Sequence, residues 1–130
     1  MEVNLPEIVA EVTAEFLRYE TAFVTNDIDV LDELFWNDPL TVRYGSGENL
    51  YSHEAIARFR EQRPSDDLDR EILHHVITTF GRDLGVASAE FRRTRSGRRG
   101  RQSQTWVRTG DGWRIVTAHV SALDLEPVAP

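Results

Sequence analysis

Residues 101–121 read RQSQTWVRTGDGWRIVTAHVS. Two β-patterned runs flank Gly110-Asp111, and a glycine–aspartate dipeptide in that setting is a strong hairpin signal. With Thr109 opposite Gly112, Trp106 falls opposite Ile115, Gln104 opposite Thr117 and Gln102 opposite His119. Side chains alternate across a strand, so one face of the ribbon is expected to carry Gln102, Gln104, Trp106, Trp113, Ile115, Thr117, His119 and Ser121. The other carries Ser103, Thr105, Val107, Val116, Ala118 and Val120. The first face mixes large aromatics with amides and an imidazole, as the wall of a polar-tipped cavity would.

Immediately upstream, Glu71 to Phe80 is rich in β-branched residues and reads as a strand. It turns at Gly81-Arg82-Asp83 into a second strand, Leu84 to Thr94, with Ala87, Ala89 and Phe91 on one face and Ser88, Glu90 and Arg92 on the other. Ser96-Gly97 then leads into the hairpin. Six arginines fall between Arg92 and Arg101. Single-strand nucleic-acid binders interleave aromatics with such charges, and none is interleaved here. The run reads as a solvated hairpin tip, or as a dimer contact with an acidic neighbour.

Towards the N-terminus, Pro6 suits a first helical turn, and Ile8, Val12, Phe16, Tyr19 and Phe23 recur at helical spacing. This predicts an amphipathic helix to Thr25 with Tyr19 on its buried stripe. Tyr19 there is either core or a group whose hydroxyl needs a partner. Asn26-Asp27 recaps the chain for a second helix, Ile28 to Trp36. Asp38-Pro39 ends it, and Leu40 to Tyr44 has strand character with Thr41 and Arg43 on one face. After the Gly45-Ser46-Gly47 loop, Ser52 caps a third helix, His53 to Gln62, stopped by Pro64.

The 130 residues fit one domain, expected over 1–124, with 125–130 a frayed tail. Helices grouped before an antiparallel meander imply an α+β fold, three N-terminal helices packed on a strongly curved antiparallel sheet as a cone with a cavity at its open end. A net charge of −7 argues against nucleic-acid partners, and no apolar run reaches membrane-spanning length. With no signal-peptide pattern, a cytoplasmic location is expected. There is no cysteine, and all fifteen basic residues are arginine, which excludes thiolate and Schiff-base chemistry. The four histidines show no metal-ligand spacing, and no cofactor is implied.

The residues with chemical content are Tyr19, Arg43, Gln102, Gln104 and His119, with Trp106 and Thr117 beside them on the hairpin face. A buried arginine must meet an anion or several acceptors. For Arg43 that partner is a ligand carboxylate, or alternatively Glu90, Glu48 or Asp38 in a structural ion pair. His119 is either a satisfied core histidine or a site group.

The element order and these residues resemble the nuclear transport factor 2-like (SnoaL-like) superfold. Trp106 to Ser121, with its Trp-x6-Trp spacing, Asp111-Gly112 and His119-x-Ser121, together with Asp38-Pro39-Leu40-Thr41, is similar to the association domain of calcium/calmodulin-dependent protein kinase II. That domain has a pocket arginine where this chain has Gln104, so its ligand preference does not transfer. NLPEIVAEV, FWNDPLTVRYG, ENLYS, ITTFGRD and GRQSQTWVR…GWRIVTAHVS resemble a bacterial family of oxalurate and cyanuric-acid-type ureide catabolism that includes a decarboxylating dicarboxyurea amidohydrolase.

That resemblance implies an amidohydrolase acting on a linear carboxylated urea, with Tyr19 and Arg43 as the catalytic pair. Gln102, Gln104, Trp106, Thr117 and His119 are then expected to bind substrate. A tyrosine titrates near ~10 unless strongly shifted, so Tyr19 is better suited to relaying a proton than to holding a free phenolate. Two alternatives belong to the same fold. One is a non-catalytic ligand-binding or assembly module. The other is an acid–base isomerase or dehydratase, which needs a cavity carboxylate; Glu90 is the mid-strand candidate. The aliphatic hairpin face, Val107, Val116, Ala118 and Val120, predicts a homodimer through the outer sheet face.

Overall fold

The computed structural model describes residues 1–123, so the expected tail at 125–130 lies outside the described residues. Helix α1 spans Pro6–Val24. Proline occupies its first turn, where a missing N–H costs nothing, and Ile8, Val12, Phe16, Tyr19, Glu20 and Phe23 form its buried stripe. Asn26 takes a positive φ of 53° and reverses the chain. The side chain of Asp27 then accepts from the Val30 amide to cap α2, Ile28–Leu34. This helix ends two residues before the expected Trp36. Phe35 leaves it to bridge Ile115, and the Trp36 amide donates to the Ile115 carbonyl, so tertiary pairing replaces the last turn.

Strands β1 (Val42–Tyr44) and β2 (Asn49–Tyr51) form a short hairpin, and α3 covers His53–Gln62 with Ser52 as its cap. The second strand of that hairpin was not expected from the sequence. Strands β3 (Arg70–Phe80), β4 (Leu84–Arg93), β5 (Arg99–Thr109) and β6 (Gly112–Leu123) complete a six-stranded sheet of order β2-β1-β6-β5-β4-β3. All pairs are antiparallel except β1 with β6. The α+β fold is as expected: a curved sheet with α1 laid across its concave face. Gly85 allows that close approach, because a Cβ there would lie 2.9 Å from a Val12 methyl carbon.

The hairpin register corrects the expected one. Thr109 pairs with Gly112 and Trp106 with Ile115, but Thr105 pairs with Thr117, leaving Val116 as an extra residue on β6. This β-bulge shifts every later position by one, and a one-residue shift exchanges the two faces of a strand. Gln104 therefore stands opposite Ala118 and Gln102 opposite Val120. Ala118 is buried, whereas Thr117 and His119 are exposed. His119 meets Tyr44 edge-on at 5.8 Å on the convex side, far from any interior wall. The bulge also has a use: β1 docks in parallel on this segment, with Arg43 beside Ala118, so Arg43 points inward with it.

Glu90 lies between His74 on β3 and Arg101 on β5, on the convex face with Ser88 and Ser103. A carboxylate there cannot act in the cavity, which removes the Glu90-based isomerase or dehydratase reading. His74 shares that face, while the ring of His75 reaches Phe16 at 5.4 Å. No helix among the described residues is long and apolar enough to cross a membrane.

The core runs from Ile8 and Val12 through Phe16, Leu31, Leu34 and Phe35 to Ile115 and Trp106. Phe16 is fully buried at the centre of α1. Phe16→Ala is expected to destabilise the protein by about 3–5 kcal/mol, from lost transfer free energy and the cavity left behind. Urea denaturation of the two proteins measures this directly.

Candidate functional site

The wide end of the cone is organised by a buried ion pair. Glu20, one turn after Phe16 on the α1 stripe, accepts from Arg70 Nε at 3.1 Å and Nη2 at 2.7 Å. Gln102 closes the arrangement: its Nε2 donates to Glu20 at 2.8 Å, and its Oε1 accepts from Arg70 Nη2 at 3.0 Å. The Arg70 guanidinium is sandwiched between Phe23 and Phe91, with ring centroids 3.8 and 4.2 Å away. Glu20 and Arg70 are 8% and 7% exposed, which makes this a desolvated, charge-assisted network.

Beside it lies a cavity of about 280 Å³, lined chiefly by Phe23, Arg43, Phe59, Arg63, Asp67, Arg70 and Arg93, with Glu48 and Asp66 at its edge. Its arginines are not equivalent. Arg43 donates to Glu48 at 3.1 Å, the structural ion pair that was the alternative to a ligand. Glu48 also accepts from the Gly47 amide, and it lies where a Cβ on Gly45 would come within 1.8 Å of its Oε1. Arg93 donates from Nη1 to the Asp67 carbonyl at 2.7 Å. Burial lowers its guanidinium from the ordinary value, and neighbouring Arg70 adds to this.

Arg63 is different. It follows the last residue of α3, its guanidinium lies 4.8 Å from the Phe23 ring centroid, and its Nε and Nη2 are enclosed without a hydrogen-bond partner. Burial pushes this group down to about 10, so it keeps its charge at neutral pH. Nearby Arg60, Arg43 and Arg70 act in the same direction, against the opposing influence of Tyr19.

Tyr19 sits one ring beneath the cavity, stacked on Phe23 at 6.2 Å and tilted against Phe35 at 6.2 Å. Its hydroxyl has no hydrogen-bond partner among the described residues. Arg60 lies near it, paired to Asp32 and placed over Phe35, with its guanidinium lowered chiefly by burial.

Of the expected site residues, the structure brings only Arg43 to the cavity wall, with Tyr19 just behind it. Gln102 is near but spends both ends of its amide on Glu20 and Arg70. Gln104 accepts from the Trp106 indole at 3.2 Å, and both are buried in the core away from the cavity. Thr117 and His119 are on the convex face because of the Val116 bulge. Glu20, Arg63, Asp67, Arg70 and Arg93 were not anticipated. A signal existed for two of them: Glu20 is on the α1 stripe four residues after Phe16, and Arg63 follows Phe59 at the same spacing. The basic run is also more than a solvated tip. Arg93 enters the cavity, Arg95 pairs with Asp66, and the Thr94 amide donates to Asp69, strapping the α3–β3 link to the β4–β5 turn. No group of three or more His, Cys, Asp or Glu among the described residues is placed to hold a metal ion.

The sequence model of the AtzH-like family matches residues 1–126. A protein of unknown function from the DUF3225 family of Pectobacterium atrosepticum is 58% identical, with 94% of this chain and 95% of that one covered and a TM-score of 0.91. A cystatin-like fold protein from Burkholderia xenovorans is 46% identical over 97% and 99% of the two chains, with a TM-score of 0.92. A nuclear transport factor 2-like superfamily protein from Salmonella enterica is 23% identical over 94% and 95%, with a TM-score of 0.77, a likeness of fold. No curated protein matches the chain.

Glu20→Gln leaves Arg70 buried without its carboxylate and is expected to cost about 3–5 kcal/mol in urea denaturation. The exposed control Glu54→Gln, which breaks only a surface pair with Arg58, is expected to cost less than about 1 kcal/mol.

Proposed function

The chain belongs to the AtzH-like family, and on that premise we propose that it is a small-molecule enzyme of ureide catabolism. Its reaction is hydrolysis of a linear carboxylated urea or an oxalurate-like amide. Water adds across the scissile C–N bond, the departing nitrogen takes a proton and leaves as ammonia from a urea terminus or as urea from an oxalurate-like amide, and a carbamate so formed loses carbon dioxide without further help. The observation that carries this reading is the cavity beside Phe23: small, arginine-rich and holding one guanidinium whose Nε and Nη2 have no hydrogen-bond partner. Such a site suits a small planar carboxylate, which accepts a guanidinium fork in two parallel hydrogen bonds. The larger surface groove of about 610 Å³ includes Asp29, Asp32, Glu33 and Asp111, and would repel the same ligand.

In this mechanism Arg43, steadied by Glu48, polarises the urea carbonyl as charge develops on its oxygen. The Tyr19 hydroxyl, unpartnered and close to Arg63, relays a proton through an ordered water to the leaving nitrogen. Chemistry of this kind uses no cofactor. Gly45 belongs to the machinery indirectly, because Glu48 can reach Arg43 only where no Cβ intervenes.

We also propose that two copies pair through the convex sheet face. The apolar surface expected there from Ala118 and Val120 is turned inward by the bulge, but Val76 and Leu73 on β3 remain 50% and 38% exposed. A Val76→Arg variant is expected to be monomeric by light scattering where the parent is dimeric; a monomeric parent would overturn this pairing.

The activity is tested by incubating the protein with a panel of carboxylated ureas and oxalurate and following ammonia and urea release. Tyr19→Phe is expected to lower kcat by about 10²-fold or more, the usual contribution of a positioned proton donor. Gly45→Ala is expected to lower turnover by displacing Glu48 from Arg43. A parent that turns over none of the panel, or a Tyr19→Phe variant with full rate, would sink the proposal.

A further inference from the structure

Several enclosed side-chain atoms have no hydrogen-bond partner among the described residues, and two residues with such atoms line the cavity. They are Arg63, through Nε and Nη2, and Asp67, through Oδ1. One is a donor fork and the other an acceptor. They are four residues apart, opposite in charge and facing one cavity, yet they do not pair with each other. Buried polar groups in folded proteins are normally satisfied, and leaving one unsatisfied costs the full desolvation of that group.

The other arginines of the cavity are committed. Arg43 bonds Glu48, Arg70 gives two nitrogens to Glu20 and Gln102, and Arg93 holds the Asp67 carbonyl. The link carrying the unsatisfied pair is itself fixed. Leu68 is buried, and Arg93, Thr94 and Arg95 bond the backbone from Asp66 to Asp69. Asp67 is thus held in place while its side-chain oxygen lacks a donor.

We infer that Arg63 and Asp67 form a two-ended clamp for a ligand carrying both a carboxylate and an N–H group. Arg63 takes the carboxylate through its fork, and Asp67 accepts the hydrogen bond from the amide or ureido nitrogen. The clamp assigns substrate selection to the α3–β3 link, not to the hairpin amides. The ligand class rests on the carboxylated-urea reading, whereas the existence of the clamp rests on the two unsatisfied groups.

Calorimetric titration of the full chain with oxalurate, malonate and urea separates these parts. Oxalurate offers both groups, malonate only carboxylates and urea only N–H. Arg63→Met is expected to weaken oxalurate and malonate alike by about tenfold or more, the scale of a hydrogen bond to a charged group. Asp67→Ala is expected to weaken oxalurate by a similar factor and to leave malonate unchanged or tighter. Unliganded Arg63→Met should unfold at or above the parent's Tm, because it removes a half-buried charge whose Nε and Nη2 have no hydrogen-bond partner; a merely structural Arg63 would lower it.

If Arg63→Met does not fold, Arg63→Lys keeps the charge but not the fork and should still lose oxalurate affinity. Unchanged oxalurate affinity in Arg63→Met, or in Arg63→Lys where that variant stands in, overturns the clamp. So does equal loss of both ligands in Asp67→Ala, or failure of the parent to bind any probe at millimolar concentration. Tight oxalurate binding with no turnover of any panel member would instead uphold the clamp and overturn the hydrolase.

Discussion

The ion pair between Glu20 and Arg70, closed by Gln102, is the constraint on which the wide end of this molecule depends. It joins α1, β3 and β5 at one point inside the protein. Burying two charges costs several kcal/mol each, and the cost is offset only because every polar contact is well made. The carboxylate accepts three hydrogen bonds, and the guanidinium is enclosed by two phenylalanine rings. An apolar trio of similar volume would hold helix and sheet together equally well. It would not present a fixed guanidinium at the cavity floor. The network therefore matters less for total stability than for keeping the helix end and the sheet at a defined separation, with polar atoms between them.

Much of the architecture was legible because hydrophobic period and turn chemistry agreed along most of the chain. The α1 stripe, the Ser52 cap and the Gly110-Asp111 turn each had a local cause. The Val116 bulge had none. Thr117, Ala118, His119 and Val120 alternate small and polar residues, so either register gives a mixed face, and no glycine or proline marks the irregularity. What decides it is non-local: β6 must pair with β5 on one side and accept β1 in parallel on the other. That one extra residue moved Thr117 and His119 from the expected interior to the convex face.

The site was less legible than the fold for a related reason. Arginine is usually read as a surface residue, because its charge seeks water while its stem covers apolar ground. In this chain every basic residue is arginine, so the identity of the residue does not distinguish a surface cation from a buried one. Arg70 opens a strand and Arg63 follows a helix, positions where solvent exposure is the ordinary outcome. They become interior groups only when the α3–β3 link is drawn against Phe23. Glu20 carried a clearer sign, as an acid at a core position of α1 that had to find a cation.

Net charge and local charge act on different scales in this protein. The chain carries −7 overall, yet the cavity gathers four arginines within a small volume. Three of them are matched by acids or carbonyls, which fixes their positions and limits their pull on a ligand. An exposed ion pair such as Arg95 with Asp66 contributes little energy, and its value is to hold the link in register. The one guanidinium left unmatched then acts in a site partly withdrawn from water, where a charge interaction is stronger than at the surface. On the proposed reading, selectivity for a small carboxylate would rest on this contrast: an acidic exterior repels anions in general, and the unsatisfied fork would favour one that fits the cavity.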